Sequence, residues 1–233
     1  MDWVAKNIER VQAAMRVACQ QASRDPRSIT VVAVTKGVPA EFARAAWHAG
    51  LRHFGENRVQ EAQPKIAALA DVADVTWHLI GHLQTNKAHI AAHLFHVIHA
   101  VDSLRVAEAL DARAAQRTPP LDVLLQVNVA GEATKFGVSL ESADALARQL
   151  HASSHLRWRG LMTIAPALDD PEGARPVFRA LRQLRDRPQH ALGVERLQLS
   201  MGMSHDFTVA IEEGADLVRI GSAIFKENFW HDR

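Results

Sequence analysis

The sequence predicts an α/β fold, a single (β/α)8 TIM barrel preceded by one extra helix. Three observations predict it. Eight short apolar segments alternate with helical segments, and no long linker interrupts them. Alternating βα units imply right-handed crossovers and a parallel sheet, and eight of them close most simply into a barrel. The length, 233 residues, suits one barrel-sized domain, 1–233, better than two ordinary ones. A doubly wound open sheet is the alternative, but no Gly-x-Gly-x-x-Gly follows the first strand, which disfavours a dinucleotide fold.

In order, residues 3–22 predict the extra helix. Val4, Ile8, Val11, Met15, Cys19 and Ala22 recur at helical spacing, with Lys6, Glu9, Arg10 and Arg16 mostly off that stripe. Residues 29–36 read as a strand buried on both faces, closed by Lys36 and followed by Gly37 and Pro39. Pro39 suits the first turn of a helix that stops at Gly50. Strands two to four are expected at 51–55, 76–81 and 94–101, with helices from 56 to about 69, through Ala92 and over 104–116. Ser103 is placed to cap the last of these. After Thr118-Pro119-Pro120 come a fifth strand, 121–129, a polar loop, 131–137, and a helix, 140–151. The sixth strand is expected at 156–164, with a helix over 171–187 that ends before Pro188. The seventh is expected at 195–199 with a loop at 200–204, then a helix over 205–213 ending at Gly214. The eighth is expected at 217–220, followed by Gly221-Ser222. The stretches 49–55 and 213–221 share a helix–Gly–strand–Gly pattern, a weak internal echo of the repeat.

In a parallel barrel the carboxyl ends of the strands converge on one face, where ligands gather. Here they supply Lys36, Glu56, Asn57, His78, His82, Asp102, Asn128, Met162, Thr163, Ser200, Arg219, Gly221 and Ser222. Two loops suit an anion: Ser200-Met201-Gly202-Met203-Ser204 after strand seven, and Gly221-Ser222 after strand eight. Glycine lets backbone N–H groups approach, serine adds a hydroxyl, and a helix start adds a favourable dipole. A strand-end lysine beside a phosphate cradle suggests a phosphorylated aldehyde held as a Schiff base. Pyridoxal 5'-phosphate (PLP) fits, and Arg219, two residues before Gly221, is the candidate partner of its ring nitrogen.

Composition removes other classes. The chain is 48% hydrophobic and 23% charged, with a net charge of +1 and mixed signs, so neither nucleic acid nor an acidic membrane is expected as a partner. One cysteine, Cys19, allows no intrachain disulfide and is expected in the core. No apolar run reaches the ~18 residues of a membrane span, and the N-terminus lacks a signal-peptide core, so a cytoplasmic location is expected. Of 13 histidines, His89, His93, His96 and His99 are closely spaced, but no cysteine or nearby carboxylate completes a metal set. They read as structural or solvated. Arg175, Arg179, Arg182, Arg185 and Arg187 read as a solvated helix face.

Several long motifs carry a resemblance. They are Val32-Ala33-Val34-Thr35-Lys36, Phe54-Gly55-Glu56-Asn57-Arg58-Val59-Gln60-Glu61, the run from Trp77 to Lys87, Gly160-Leu161-Met162-Thr163-Ile164, the run from Leu199 to Phe207, and Val218-Arg219-Ile220-Gly221-Ser222. The chain resembles the pyridoxal phosphate homeostasis protein family, the YggS-like or PROSC-like proteins, over nearly its whole length. The resemblance implies a fold-type III PLP protein whose barrel is like the N-terminal domain of alanine racemase. It implies PLP covalently bound to Lys36, Asn57 near the ring, Arg219 facing the pyridine nitrogen, and Ser200, Gly221 and Ser222 on the phosphate. Where the family often has threonine, this chain has Ser222, which keeps the hydroxyl. The family is associated with PLP and amino-acid homeostasis, which implies a regulatory or carrier protein that exchanges PLP with apo-enzymes, expected here as a monomer.

A PLP-dependent racemase is the alternative. Two-base racemisation in this fold type uses a lysine and a tyrosine, and this chain contains no tyrosine. The chain is also expected to lack a second domain that would cover the site. A PLP-free Schiff-base aldolase would need Glu56 or Asp102 as proton shuttle and would leave the Arg219 pairing unexplained.

Overall fold

The computed structural model describes residues 2–132, 134–187 and 196–230. Eight parallel strands close into a barrel in chain order. They are β1 (Thr30–Val34), β2 (His53–Glu56), β3 (Thr76–Leu79), β4 (Val97–Val101), β5 (Leu121–Gln126), β6 (Leu156–Met162), β7 (Gln198–Met203) and β8 (Leu217–Ile220). Pairing of β1 with β8, Val32 opposite Arg219, completes the ring. Between and around them lie α1 (Asp2–Gln21), α2 (Ala40–His48), α3 (Val59–Ala68), α4 (Ala88–Leu94), α5 (Leu104–Ala114), α6 (Ala143–Ala152), α7 (Arg175–Arg185), α8 (Phe207–Glu212) and α9 (Ser222–Phe225). The fold class and the extra first helix are those the sequence predicts. The expected connector at Pro188 and the expected start of strand seven at Glu195 lie outside the described residues.

The main apolar layer lies between strands and helices. Phe54, Trp77, Ile98, Val123, Leu125, Leu161, Leu199 and Val218 alternate along their strands to face it, each buried. Helix α1 buries Val4, Ile8, Val11 and Cys19 and packs across α8 and α9. Its Asn7 side chain donates to the carbonyls of Ile224 and Lys226, tying it to the chain just beyond β8. Burial also pushes the Cys19 thiol up from its ordinary value, as fits a core cysteine.

Two strands and one helix differ from expectation, and the two strands shape the site. β1 ends at Val34, and Lys36 stands in the following turn. Thr35 makes the last ladder bond, its N–H to the Gly55 carbonyl at 2.9 Å, and Gly37 then takes φ +67. That left-handed conformation, open to glycine at little cost, turns the chain off the sheet. β7 runs on through Met203, taking in most of the segment expected as a loop, 200–204, and Ser204 opens the following turn. The register of β7 with β8 shifts between Ser200 and Met203, and Gly202 sits there at φ +89. A β-bulge, not a loop, carries this stretch. The helix expected over 171–187 begins with a 3-10 turn, Pro171–Ala174, capped by Asp170, before α7 proper.

The arginines of α7 are not simply a solvated face. Arg175, Arg179 and Arg182 converge on the Glu213 carboxylate at 2.9–3.2 Å, and Arg175 also meets Glu172 and Glu212. Arg24, Arg185 and Arg196 gather likewise around Asp216. Two carboxylates at the amino end of β8 thus anchor α7 and the chain after α1. Among the described residues no helix is long and apolar enough to cross a membrane.

Candidate functional site

The strand carboxyl ends open into a cavity of about 790 Å3. Lys36, Asn57, Arg219, Gly221 and Ser222 all line it, so the barrel brings five of the six expected site residues together.

Lys36 is exposed, and the residue before it is locked. Thr35 Oγ1 donates to Glu56 Oε1 at 2.6 Å, and its carbonyl accepts from Lys65 Nζ, which also donates to Glu56 Oε1. Glu56 is fully buried and Lys65 nearly so. Both contacts fall on Oε1, and Glu56 Oε2 is buried without a partner; removing either member of such a pair strands the other's charge, so the pair holds its geometry. Glu56 therefore acts beneath the cavity wall, as the fixed base of the Lys36 turn, and does not reach the cavity.

Asn57, half-buried, follows β2 and rests against Gly81. A Cβ at Gly81 would stand 2.3 Å from the Asn57 carbonyl oxygen, so only glycine permits this approach. The position of Asn57 thus depends on the end of β3.

Arg219 forms the cavity floor. It is 3% exposed. Its Nη1 donates to Ser200 Oγ at 2.7 Å and its Nη2 to the Thr163 carbonyl at 2.8 Å. Burial lowers its pKa to about 10, opposed by the Asp206 carboxylate, so it is a cation at neutral pH.

The two loops expected to suit an anion meet at Ser204, not at Ser200. The backbone N–H groups of Gly221 and Ala223 both donate to Ser204 Oγ at 3.1 Å. Two amides from the turn after β8 and a hydroxyl from the end of β7 thus share one spot on the cavity wall, next to Ser222. Ser200, expected on the phosphate, is fully buried beneath Arg219, bonded to Arg219 and His99. The bulge at Gly202 is the reason: it sends Ser200 inward and brings Ser204 to the cavity.

Opposite, His82 Nδ1 pairs with Asp102 at 2.8 Å and its ring stacks on Phe136, 3.8 Å away and 9° from parallel. Phe136 comes from the loop after β5, which Gln126 and Asn128 hold through the carbonyls of Phe136, Glu132 and Lys135. His78 does not reach the cavity, and Thr163 Oγ1 is spent on the Val127 carbonyl. Among the described residues no group of three or more His, Cys, Asp or Glu side chains is placed to hold a metal.

The sequence reading included Ser204 in an anion-suited loop but singled out Ser200, and it gave Phe136 no role at the site. It also missed that His53, His78 and His99 share the barrel interior. Strand register held that last signal: His53 pairs with Thr76 and His78 with Val97, so the next histidine stands two residues higher on each following strand. That step keeps all three on the inward face.

A lysine amine, a buried guanidinium and two converging amides with hydroxyls fit a planar ring bearing an aldehyde, a nitrogen lone pair and a phosphate. Residues 6–228 match the family described as alanine racemase, N-terminal domain. The pyridoxal phosphate homeostasis protein of Aquifex aeolicus is 43% identical over 95% of this chain and 97% of its own length. That of Pseudomonas aeruginosa is 44% identical over 97% of this chain and 96% of its own. The structure of PipY from Synechococcus elongatus with PLP bound superposes with a TM-score of 0.83 at 37% identity, covering 95% of this chain and 99% of that one. Alanine racemase from Corynebacterium glutamicum, at 17% identity and TM-score 0.66, shares the fold over 61% of its chain. By these near full-length matches, the chain belongs to the pyridoxal phosphate homeostasis proteins of the alanine racemase N-terminal domain family.

Proposed function

We propose that this protein binds pyridoxal 5'-phosphate in the barrel-mouth cavity, holds it covalently through Lys36, and releases it to apo-enzymes without robust catalysis of its own. One observation carries the reading: the only lysine in the turn after β1 shares a cavity with a buried cationic arginine and a two-amide cradle. The solved PipY structure with PLP bound and the name of the curated relatives support it. When bound, the cofactor supplies an aldehyde that condenses reversibly with amines.

Each residue has a stated task. Lys36 Nζ, presented by the Thr35–Glu56–Lys65 lock, takes the aldehyde carbon. The Ser204 hydroxyl, whose oxygen accepts from the Gly221 and Ala223 amides, and the Ser222 hydroxyl donate to the phosphate through charge-assisted hydrogen bonds at this turn. Asn57 borders the ring. Arg219 faces the ring nitrogen, where a fixed cation disfavours a second positive charge and so keeps that nitrogen unprotonated. An unprotonated ring withdraws electrons poorly, which suppresses amino-acid chemistry. With no tyrosine in the chain, the racemase alternative lacks its usual second base. The carrier works as a single domain and a monomer in the cytoplasm.

The test is the visible absorbance of the purified protein before and after borohydride, with the reduced peptide sequenced. The adduct is expected on Lys36 and lost in Lys36→Ala; an adduct on another lysine overturns the assignment. Holo-protein is expected to reactivate an apo-PLP enzyme. Turnover of any amino acid at ~1 per second or faster would return the racemase-like reading.

A further inference from the structure

The barrel interior below the cavity is filled by side chains that the reading above leaves without a task. TIM-barrel interiors are ordinarily packed with branched aliphatic residues. Here Arg219 of β8, Ser200 of β7, His99 of β4, His78 of β3 and His53 of β2 run through it in hydrogen-bond contact. His99 Nδ1 lies 2.9 Å from Ser200 Oγ. Strands β4 and β7 are not neighbours, so that bond crosses the interior. His99 Nε2 lies 2.9 Å from His78 Nδ1, and His78 Nε2 lies 2.9 Å from His53 Nδ1. Ser200 and His99 are wholly buried, His78 is 1% exposed, and half-buried His53 begins β2 at the opposite end of the barrel.

The direction of these bonds follows from their ends. A guanidinium can only donate, so Arg219 Nη1 donates to Ser200 Oγ. The serine has one hydrogen, and among the described residues His99 Nδ1 is the partner that can accept it. Burial above all, with Arg219 and His53 nearby, lowers the His99 pKa to about 3. Burial, with His99 and His53 beside it, likewise lowers His78 well below its ordinary value. Each is a neutral ring with one N–H and one acceptor. His99 must then carry its hydrogen on Nε2 and donate to His78 Nδ1. His78 must do the same toward His53. The reverse direction would leave the Ser200 hydroxyl hydrogen buried without an acceptor, which is costly.

All four bonds therefore run one way, away from Arg219, and every acceptor end faces it. Aligned hydrogen bonds in a low dielectric polarise one another. No carboxylate among the described residues hydrogen-bonds Arg219: its partners are Ser200 and the Thr163 carbonyl. Asp206 acts only through space, and its Oδ1 accepts from the Met203 N–H. A carboxylate in contact would hold the arginine equally well but cancel its charge.

We propose that Ser200, His99, His78 and His53 form a one-way positioning array for Arg219, fixing its guanidinium by neutral dipoles and leaving its positive charge whole for the ring nitrogen of the cofactor. The array deepens the cofactor reading and rests on it. Its members are positioning residues; they act through Arg219 and do not touch the cavity.

Two measurements decide it. In cofactor-free protein labelled with 15N-histidine, long-range proton–nitrogen spectra are expected to show the Nε2–H form for His99, His78 and His53. The Nδ1–H form at His99 or His78, or a charged ring at neutral pH, overturns the array. This reading needs neither a variant nor the cofactor, so it stands apart from any failure of PLP to bind. The second measurement uses His78→Phe, which cuts the array without touching Arg219 or the cavity. It is expected to shift the absorption band of the PLP adduct and to weaken PLP binding roughly tenfold, while borohydride still traps Lys36. His78→Gln, which can both accept and donate, is expected to restore both toward the wild type. A folded His78→Phe with wild-type band and affinity overturns the proposal, and if that variant does not fold, the tautomer spectra decide alone.

Discussion

At the scale of single residues, the sharpest contrast is between Ser200 and Ser204. Both follow apolar residues near the end of β7, and both could serve an anion. Only Ser204 Oγ meets the Gly221 and Ala223 amides. Ser204→Ala is therefore expected to weaken binding of pyridoxal 5'-phosphate by roughly tenfold, the effect of one charge-assisted hydrogen bond. Binding of pyridoxal, which lacks the phosphate, should barely change. Equal losses for the two ligands, measured by fluorescence titration, would show that Ser204 does not serve the phosphate. Residue types at the site were legible because strand ends in a parallel barrel must converge: Lys36, Asn57, Arg219, Gly221 and Ser222 were found that way. The choice between two serines was not legible. It hangs on a bulge at Gly202, and a glycine in a strand marks a bulge only once the register on both sides is known. The task of Glu56 was hidden for a similar reason. Its partner Lys65 is nine residues away on α3, and nothing in a strand-end carboxylate says whether it faces the cavity or the helix behind it.

At the scale of elements, strand and helix existence was written in apolar runs, Gly50 and Gly214 stops, and the Ser103 cap, whose side chain accepts from the Val106 N–H. Strand ends were not, because β1, β5 and β6 each stop two or three residues short of their apolar runs to form the cavity rim. Nor was the role of the α7 arginines, since a basic helix face looks the same whether it meets solvent or a carboxylate. They meet Glu213, and this has a measurable consequence. Burial opposes its ionisation, but hydrogen bonds from Arg179 and Arg175, with Arg182 nearby, hold its pKa below the ordinary 4.5. A carboxylate lowered in this way stabilises the fold above about pH 4.5 and loses that contribution as pH falls through its folded value. Glu213→Gln is expected to destabilise the protein at pH 7 by about 1–3 kcal/mol, because it leaves three arginines without their shared anion. The deficit should shrink below pH 4.5, where the wild-type carboxylate also takes up a proton. Urea unfolding at pH 7 and pH 4 checks both parts; a deficit that is the same at both values would show that packing, not charge, is lost.

At the scale of the whole molecule, the barrel combines an apolar outer layer with a polar interior of neutral imidazoles, and this sets its response to acid. Burial first, then neighbouring charges, lowers the pKa values of His53, His78, His96 and His99 below the ordinary 6.5, with His99 at about 3. The sign is opposite to that of a histidine gaining a carboxylate partner. Below pH 6.5 the unfolded chain binds protons at these positions and the folded chain does not, so acid favours unfolding. Their contribution is whole above pH 6.5 and declines as pH falls toward the folded values. Each such ring contributes a slope of at most about 1.4 kcal/mol per pH unit. The lowered carboxylates cannot mask this, because Glu213 acts only below about 4.5 and Asp111, whose ordinary value is 3.8, lower still. Stability measured by urea unfolding is therefore expected to fall between pH 7 and pH 5. His99→Asn is expected to lower stability at pH 7, since a close-packed interior bond is lost, and to make the profile between pH 5 and pH 7 flatter than in the wild type. A wild-type profile that is level from pH 7 to pH 5 would mean that the interior rings take up protons without cost, which the buried chain from Arg219 to His53 does not permit.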